Sequence, residues 1–187
     1  MQQNFMATGA IETTNSLVMY NNIMNKFKWG NFKTAHYLDD VSLNQFFPLI
    51  ARLVSNLADN LTKEGHVDLA KNLLHKYQSE MPELIPAQEG ALRRYYMAIT
   101  AYNAGETAMA EKMVKQVGDY LINSLDYNYT LLKDNNLTSQ NEIQFGVSIL
   151  NGLVNLTKEY KNEALSNNYK AKLDVYMKEF GGLSAQD

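Results

Sequence analysis

Apolar residues recur every three or four positions along nearly the whole chain, the spacing of amphipathic helices, and no stretch alternates as a strand does. The pattern and its punctuation predict seven helices. The first covers about residues 15–28, with Leu17, Tyr20, Met24 and Phe27 on one face and Gly30 as its stop. The second covers about 43–64, with Phe46, Phe47, Ile50, Leu53, Val54, Leu57 and Leu61 inward. Asp40 or Ser42 is placed to cap it, and Pro48 either kinks it or marks its true first turn. Gly65 ends it. The third, about 67–81, turns Val67, Ala70, Leu73, Leu74, Tyr77 and Met81 inward and stops at Pro82. "PELIPAQEG" is the clearest loop. The fourth, about 88–104, carries Leu92, Tyr95, Tyr96, Ile99 and Tyr102 and ends at Gly105. The fifth, about 107–132, carries Ala110, Met113, Val114, Val117 and Leu121. After the polar break "KDNNLTS", Thr138 or Ser139 can cap a sixth helix of about 140–160 with Ile143, Val147, Leu150 and Val154. The seventh, about 163–180, holds Leu165, Tyr169, Leu173, Tyr176 and Phe180 before Gly181 and Gly182.

The expected organisation is all-α: a disordered or extended segment over 1–14, a single domain over 15–182, and a frayed tail over 183–187. The domain reads as an irregular tetratricopeptide-like helical repeat or bundle of about seven helices. Ala58, Gly65 and Ala70 match Ala98, Gly105 and Ala110 one for one. In such a hairpin a small residue on the first helix lets the second pack close, a glycine makes the turn, and a second small residue lies at the crossing. The period of 40 residues exceeds the usual period of about 34, because "PELIPA" lengthens the connection. An ordinary helical bundle is the competing reading.

Composition narrows the function classes. The net charge of −3 gives no excess of positive charge for nucleic acid or an anionic membrane. The chain has no cysteine, which removes disulfides, thiolate zinc sites and cysteine nucleophiles. No apolar run is long enough to span a bilayer, and the N-terminal residues lack the basic and apolar regions of a signal peptide.

Candidate chemistry is sparse. His36, His66 and His75 are not at ligand spacing, and surface or capping roles suit them better. Asp39 and Asp40 are a carboxylate pair ahead of a helix, where capping is the simpler reading. No nucleophile elbow, dinucleotide fingerprint or phosphate loop occurs, and no metal or cofactor is expected. Asn60, Asn128, Asn136 and Asn155 begin sequons that chance explains in an asparagine-rich chain. Tyr95, Tyr96 and Tyr102 belong to a tyrosine cluster with Tyr120, Tyr127 and Tyr129. Aromatics lining a repeat groove can stack on sugars or grip peptides, although large core residues are the commoner explanation. "NKFKWGNF" is either an interfacial anchor or a helix end whose Phe27 and Trp29 tuck inward while Lys26 and Lys28 stay wet; its spacing favours the second.

The same stretch carries a resemblance. "MYNNIMNKFKWGNF" followed by "HYLDD" resembles the region after the last membrane span in a family of large multi-spanning bacterial membrane proteins of unknown function, itself similar to protein O-mannosyltransferases. Its members often carry "NKFKWGG", then a "YLDE"-type motif, then a helical tail. The matching residues are Asn25, Lys26, Phe27, Lys28, Trp29 and Gly30, then Tyr37, Leu38 and Asp39. Asn31 stands where the family has its second glycine, and Asp40 where it has glutamate. "SLNQFFPLIARL" is more apolar than the family's corresponding helix.

The resemblance implies a soluble C-terminal domain on the periplasmic side of the inner membrane, attached to a glycosyltransferase-like parent through spans absent from this sequence. No catalytic residue of the family falls on it. The chain by itself is then expected to be no enzyme but an accessory module for a partner protein, an acceptor polypeptide or a glycan. The alternative is a free-standing tetratricopeptide-like adaptor in the cytoplasm, with Met1 as the native start. A small enzyme using Asp39 and Asp126 would need those carboxylates to converge.

Overall fold

The computed structural model describes residues 15–83, 85, 87–133 and 139–181. The expectations for 1–14 and 183–187, for Asn136 and for a Thr138 cap lie outside them. Among the described residues the structure is all-α, with seven α-helices and no strand. They are α1 (Ser16–Asn25), α2 (Phe47–Lys63), α3 (Val67–Glu80), α4 (Gln88–Asn103), α5 (Thr107–Lys133), α6 (Gln140–Glu159) and α7 (Glu163–Gly181). A 3-10 turn (Phe32–Thr34) and a π-turn (Ser42–Phe46) lie between α1 and α2. The chain divides into two compact units, Met1–Glu83 with Asn103–Glu106, and Leu84–Tyr102 with Thr107–Asp187.

The first unit holds α1, α2 and α3. The Asn15 side chain accepts from the Val18 N–H and starts α1. The helix then rolls away from its expected face. Leu17 is exposed, and Ser16 and Ile23 are the buried residues. The cause is polar: the Ser16 hydroxyl donates to Glu64 at 2.7 Å, which turns Ser16 inward. The helix ends at Asn25, short of the expected Lys28, and Phe27 is 38% exposed. Pro48 occupies the first turn of α2, where its missing N–H costs nothing, so it marks a start and not a kink. Phe47, Ile50, Val54, Leu57 and Leu61 of α2 are buried, as are Ala70, Leu73, Leu74 and Tyr77 of α3.

The second unit holds α4 to α7. Arg94 of α4 donates to Gln116 of α5 at 2.8 Å. A Cβ on Gly152 of α6 would lie 2.8 Å from the Tyr95 hydroxyl of α4, and Tyr102 of α4 stacks on Tyr160 with ring centroids 4.0 Å apart. Residue numbers rise together across that contact, so α4 and α6 run parallel. On the other side Tyr169 meets Gly118 and Tyr176 meets Ile122, so α5 and α7 also run parallel. Leu125 against Gly146, and Asn128 donating to Glu142, make α5 and α6 antiparallel. The unit is two helical hairpins stacked in register.

The hairpin turns share one geometry. Gly65 and Gly105 sit at φ +84° and +80°. At the first turn Gly65 N–H donates to Thr62 and His66 N–H to Leu61, the paired bonds of a Schellman stop. Ala58, Ala70, Ala98 and Ala110 are all fully buried. The same stop recurs between α6 and α7, where no glycine announces it. Lys161 adopts φ +60°, its N–H donates to Lys158, and the Asn162 N–H donates to Thr157. Ser166 then stands where Ala70 and Ala110 stand, and its hydroxyl donates to the Val154 carbonyl at 3.1 Å.

Two substitutions test this geometry. A left-handed lysine costs about 1 kcal/mol that glycine avoids, partly offset by glycine's freedom when unfolded, so Lys161→Gly should stabilise the chain by about 0.5–1 kcal/mol in urea denaturation. Gly118→Ala should do the opposite. A Cβ there would lie 2.6 Å from the ring of Tyr169, which is only 2% exposed and cannot swing away. Overpacking of about 1–3 kcal/mol outweighs the helix-propensity gain of about 1 kcal/mol, so urea should unfold the variant at a lower concentration.

Candidate functional site

The tyrosines of α4 occupy three environments. Tyr96 is 48% exposed and is the one aromatic of the three that faces solvent freely. Tyr95, half-buried, tilts against Tyr96 at 5.6 Å and fills the notch left by Gly152. Burial pushes its hydroxyl pKa up, with smaller contributions from Tyr96 and Glu159. Tyr102 is buried, flat against Tyr160. Its hydroxyl, buried with no hydrogen-bond partner, is held above the ordinary range by burial, then by Glu111 and Tyr160. Beside it the Asn162 amide donates to Glu111 at 2.7 Å. The expected groove aromatics therefore separate: Tyr102 belongs to the interior, and Tyr96 with the outer edge of Tyr95 belongs to the surface of the stacked hairpins.

Three other tyrosines tie α7 to α5, and of them only Tyr129 belonged to the expected tyrosine cluster. The Tyr169 hydroxyl donates to the Val114 carbonyl at 3.3 Å, Tyr176 to Asp126 at 2.7 Å, and Tyr129 to Glu179 at 2.7 Å. Burial is the first cause raising the Tyr169 and Tyr176 pKa values, and the Asp126 bond adds to it for Tyr176. Tyr169 and Tyr176 are two turns apart on α7, a spacing visible in the sequence. Their bonds to α5 were not, because nothing in the sequence pairs those two helices.

The motif residues sit at the edge of the first unit's core. Trp29 is buried, edge-on to Phe27 at 5.0 Å and to Tyr77 at 6.5 Å, while Lys26 and Lys28 are exposed. Gly30 at φ +75° and Asn31 at φ +57° turn the chain, and Phe32 packs on Phe46 and Phe47. Tyr37 is 82% exposed and Leu38 is half-buried. Asp39 accepts from the Ser42 N–H at 2.9 Å and from the Ser42 hydroxyl at 3.0 Å, bonds that lower its pKa. It is a cap by geometry. Asp126 is engaged by Tyr176, as above. His75 faces Glu106 at 3.1 Å, and Lys71 approaches the same carboxylate at 4.0 Å. Among the described residues no three acidic or histidine side chains gather as a metal site. No family model, curated protein or solved structure matches the chain.

The unpaired Tyr102 hydroxyl sets a comparison. Tyr102→Phe removes a buried polar atom and keeps the stacked ring, so stability should hold or rise by up to about 1 kcal/mol, whereas Tyr169→Phe removes the buried bond to the Val114 carbonyl and should lose about 1 kcal/mol. Thermal melts of the two variants decide it. The pH dependence follows from the same tyrosines. Their folded pKa values lie above the unfolded value of about 10, so the stability they contribute is intact below that pH and drains away as pH rises through the folded values. In an alkaline titration the ionisation of buried tyrosines such as Tyr102 and Tyr169 should coincide with loss of helix, above about pH 10. Ionisation of Tyr169 with the helices intact would refute it.

Proposed function

We propose that the chain is a tetratricopeptide-like accessory module that binds a partner protein, an acceptor polypeptide or a glycan for a membrane-embedded glycosyltransferase-like protein. The observation that carries this reading is the parallel stacking of α4 on α6 and of α5 on α7, with matched turns. Stacked hairpins expose extended faces suited to recognition. Tyr96 offers an accessible ring, and the uncharged amides of Asn151 and Asn155 on α6 are also exposed. Aromatic rings and amides suit sugars and polypeptide backbones, and need no charge on the ligand. The motif residues Asn25 to Gly30 and Tyr37 to Asp39 support the parent, and with it the periplasmic side of the inner membrane.

Two assays test the reading. The isolated chain should turn over neither nucleotide-linked nor lipid-linked sugar donors, and turnover by this chain alone would sink the accessory role. The isolated chain should bind members of a glycan or peptide array, and Tyr96→Ala should weaken that binding about tenfold, as expected on losing one stacking contact. Equal binding by Tyr96→Ala would move the site away from α4.

A further inference from the structure

Three exposed apolar side chains of the first unit share one stripe of one helical run. The backbone is helical from Asp40 through the π-turn into α2. In the π-turn the bonds join each residue to the fifth one on, so Val41 lies about one turn before Gln45 and Phe46. From there the α-helical spacing of three or four carries the stripe to Leu49 and then to Arg52. Val41 and Leu49 stand largely in solvent, and Phe46 is exposed at the stripe's edge. Singly, such residues are ordinary; in a row they mark a contact surface.

The polar residues of the stripe choose its occupant. One end is an anion, Asp40, and the other a cation, Arg52. Both are exposed, and among the described residues neither meets an opposite charge. Asp39 differs from its neighbour, being folded back on Ser42. The order along the stripe is symmetric about its middle. Phe46 is six residues from Asp40 and six from Arg52, and Gln45 is four from Val41 and four from Leu49. A surface ordered anion, apolar, amide, apolar, cation is complementary to its own copy turned end for end. A two-fold axis at Gln45 and Phe46 sets Asp40 of each copy against Arg52 of the other, and Val41 against Leu49. The Gln45 amide, donor and acceptor at once, then meets its own equivalent. Overall charge does not oppose the pairing. Over residues 15–83 six lysines and one arginine balance four aspartates and three glutamates, so two first units carry no net repulsion.

We propose that this stripe is the contact of an isologous homodimer, in which the run from Asp40 to Arg52 lies antiparallel on the same run of a second copy. Val41, Phe46 and Leu49 form its apolar middle, and the two Asp40–Arg52 pairs close its ends. A contact of this size fits a weak dimer, with a dissociation constant in the micromolar range. The dimer does not rest on the accessory role: a chain that binds nothing in the array still pairs.

Sedimentation equilibrium of the whole 187-residue chain across the micromolar range is the test. The mass should rise from monomer to dimer and no further, because a two-fold contact closes on itself. Arg52→Asp should raise the dissociation constant about tenfold or more, since like charges then face each other at both ends, and Asp40→Arg should do the same. A one-to-one mixture of the two variants should dimerise again, because every pair across the contact then joins an arginine to an aspartate. Val41→Asp with Leu49→Asp should leave only monomer. All four positions face solvent, so the thermal melts of the variants, followed by circular dichroism, should stay close to that of the unsubstituted chain. A chain that stays monomeric overturns the proposal, and so does a monomer that sediments with lipid vesicles, since a membrane then covers the stripe. A dimer that both charge variants keep, a mixture that stays monomeric, or growth beyond the dimer overturns it as well.

Discussion

Each hairpin depends on a chain reversal that closes in very few residues. The backbone must enter the left-handed region once, directly after one helix, and the next helix must begin without straying from its partner. Gly65 and Gly105 meet the first demand with no side chain to object, and Lys161 meets it at a cost. Ala70, Ala110 and Ser166 meet the second, five residues on, by being small where the helices cross. Once those reversals are fixed, the helix directions follow, and stacking one hairpin on the next places α4 beside α6 and α5 beside α7. The tyrosines then fasten the stack. A phenol reaches further than an aliphatic side chain and ends in a donor, so Tyr169 and Tyr176 can fill grooves on α5 and still satisfy their hydroxyls there.

How much of this was legible in the sequence depends on what kind of signal each element carries. Helix ends were legible where a glycine, a proline or a serine cap marked them, and α3 to α7 begin and end within a residue or two of the pattern. The first two turns were legible because glycine is the ordinary residue for that conformation. The third was not. Lysine carries no turn signal, Ser166 replaces the alanine, and Val154 replaces the small residue on the preceding helix, so all three marks of the repeat are overwritten while the geometry survives. The face of α1 was misjudged for a different reason. Periodicity weighs apolarity, and Ser16 is turned inward by a hydrogen bond to Glu64 from a helix almost fifty residues away.

The candidate site was less legible than the fold. Tyrosine is ambiguous by nature, apolar along its ring and polar at its tip, and spacing cannot tell a rim residue from a stacked core residue. Tyr96 and Tyr102 lie six residues apart on one helix and have opposite fates, decided by whether α6 covers them. The same holds for "NKFKWGNF". Its tryptophan is the residue most suggestive of a ligand or a membrane, yet it is the one the core takes, held between Phe27 and Tyr77. The neighbouring lysines stay in water because their charge forbids the alternative.

The burial of Trp29 bears on how the apolar surface of the first unit is to be understood. A unit of three helices cannot cover all its apolar side chains, and some exposure follows from size alone. Size does not explain where the exposure falls. Beyond Arg52 the outward face of α2 passes to polar residues, while its first turn, Phe47 to Ile50, is apolar all round, and the π-turn before it mixes Leu43 and Phe46 with Ser42, Asn44 and Gln45. A helix that is amphipathic over one part and apolar all round over another has two surfaces to satisfy at the apolar end. The inner one is met by Phe47, Ile50 and Val54 in the core. The outer one leaves Val41, Phe46 and Leu49 in solvent, at exposures of 61%, 36% and 49%.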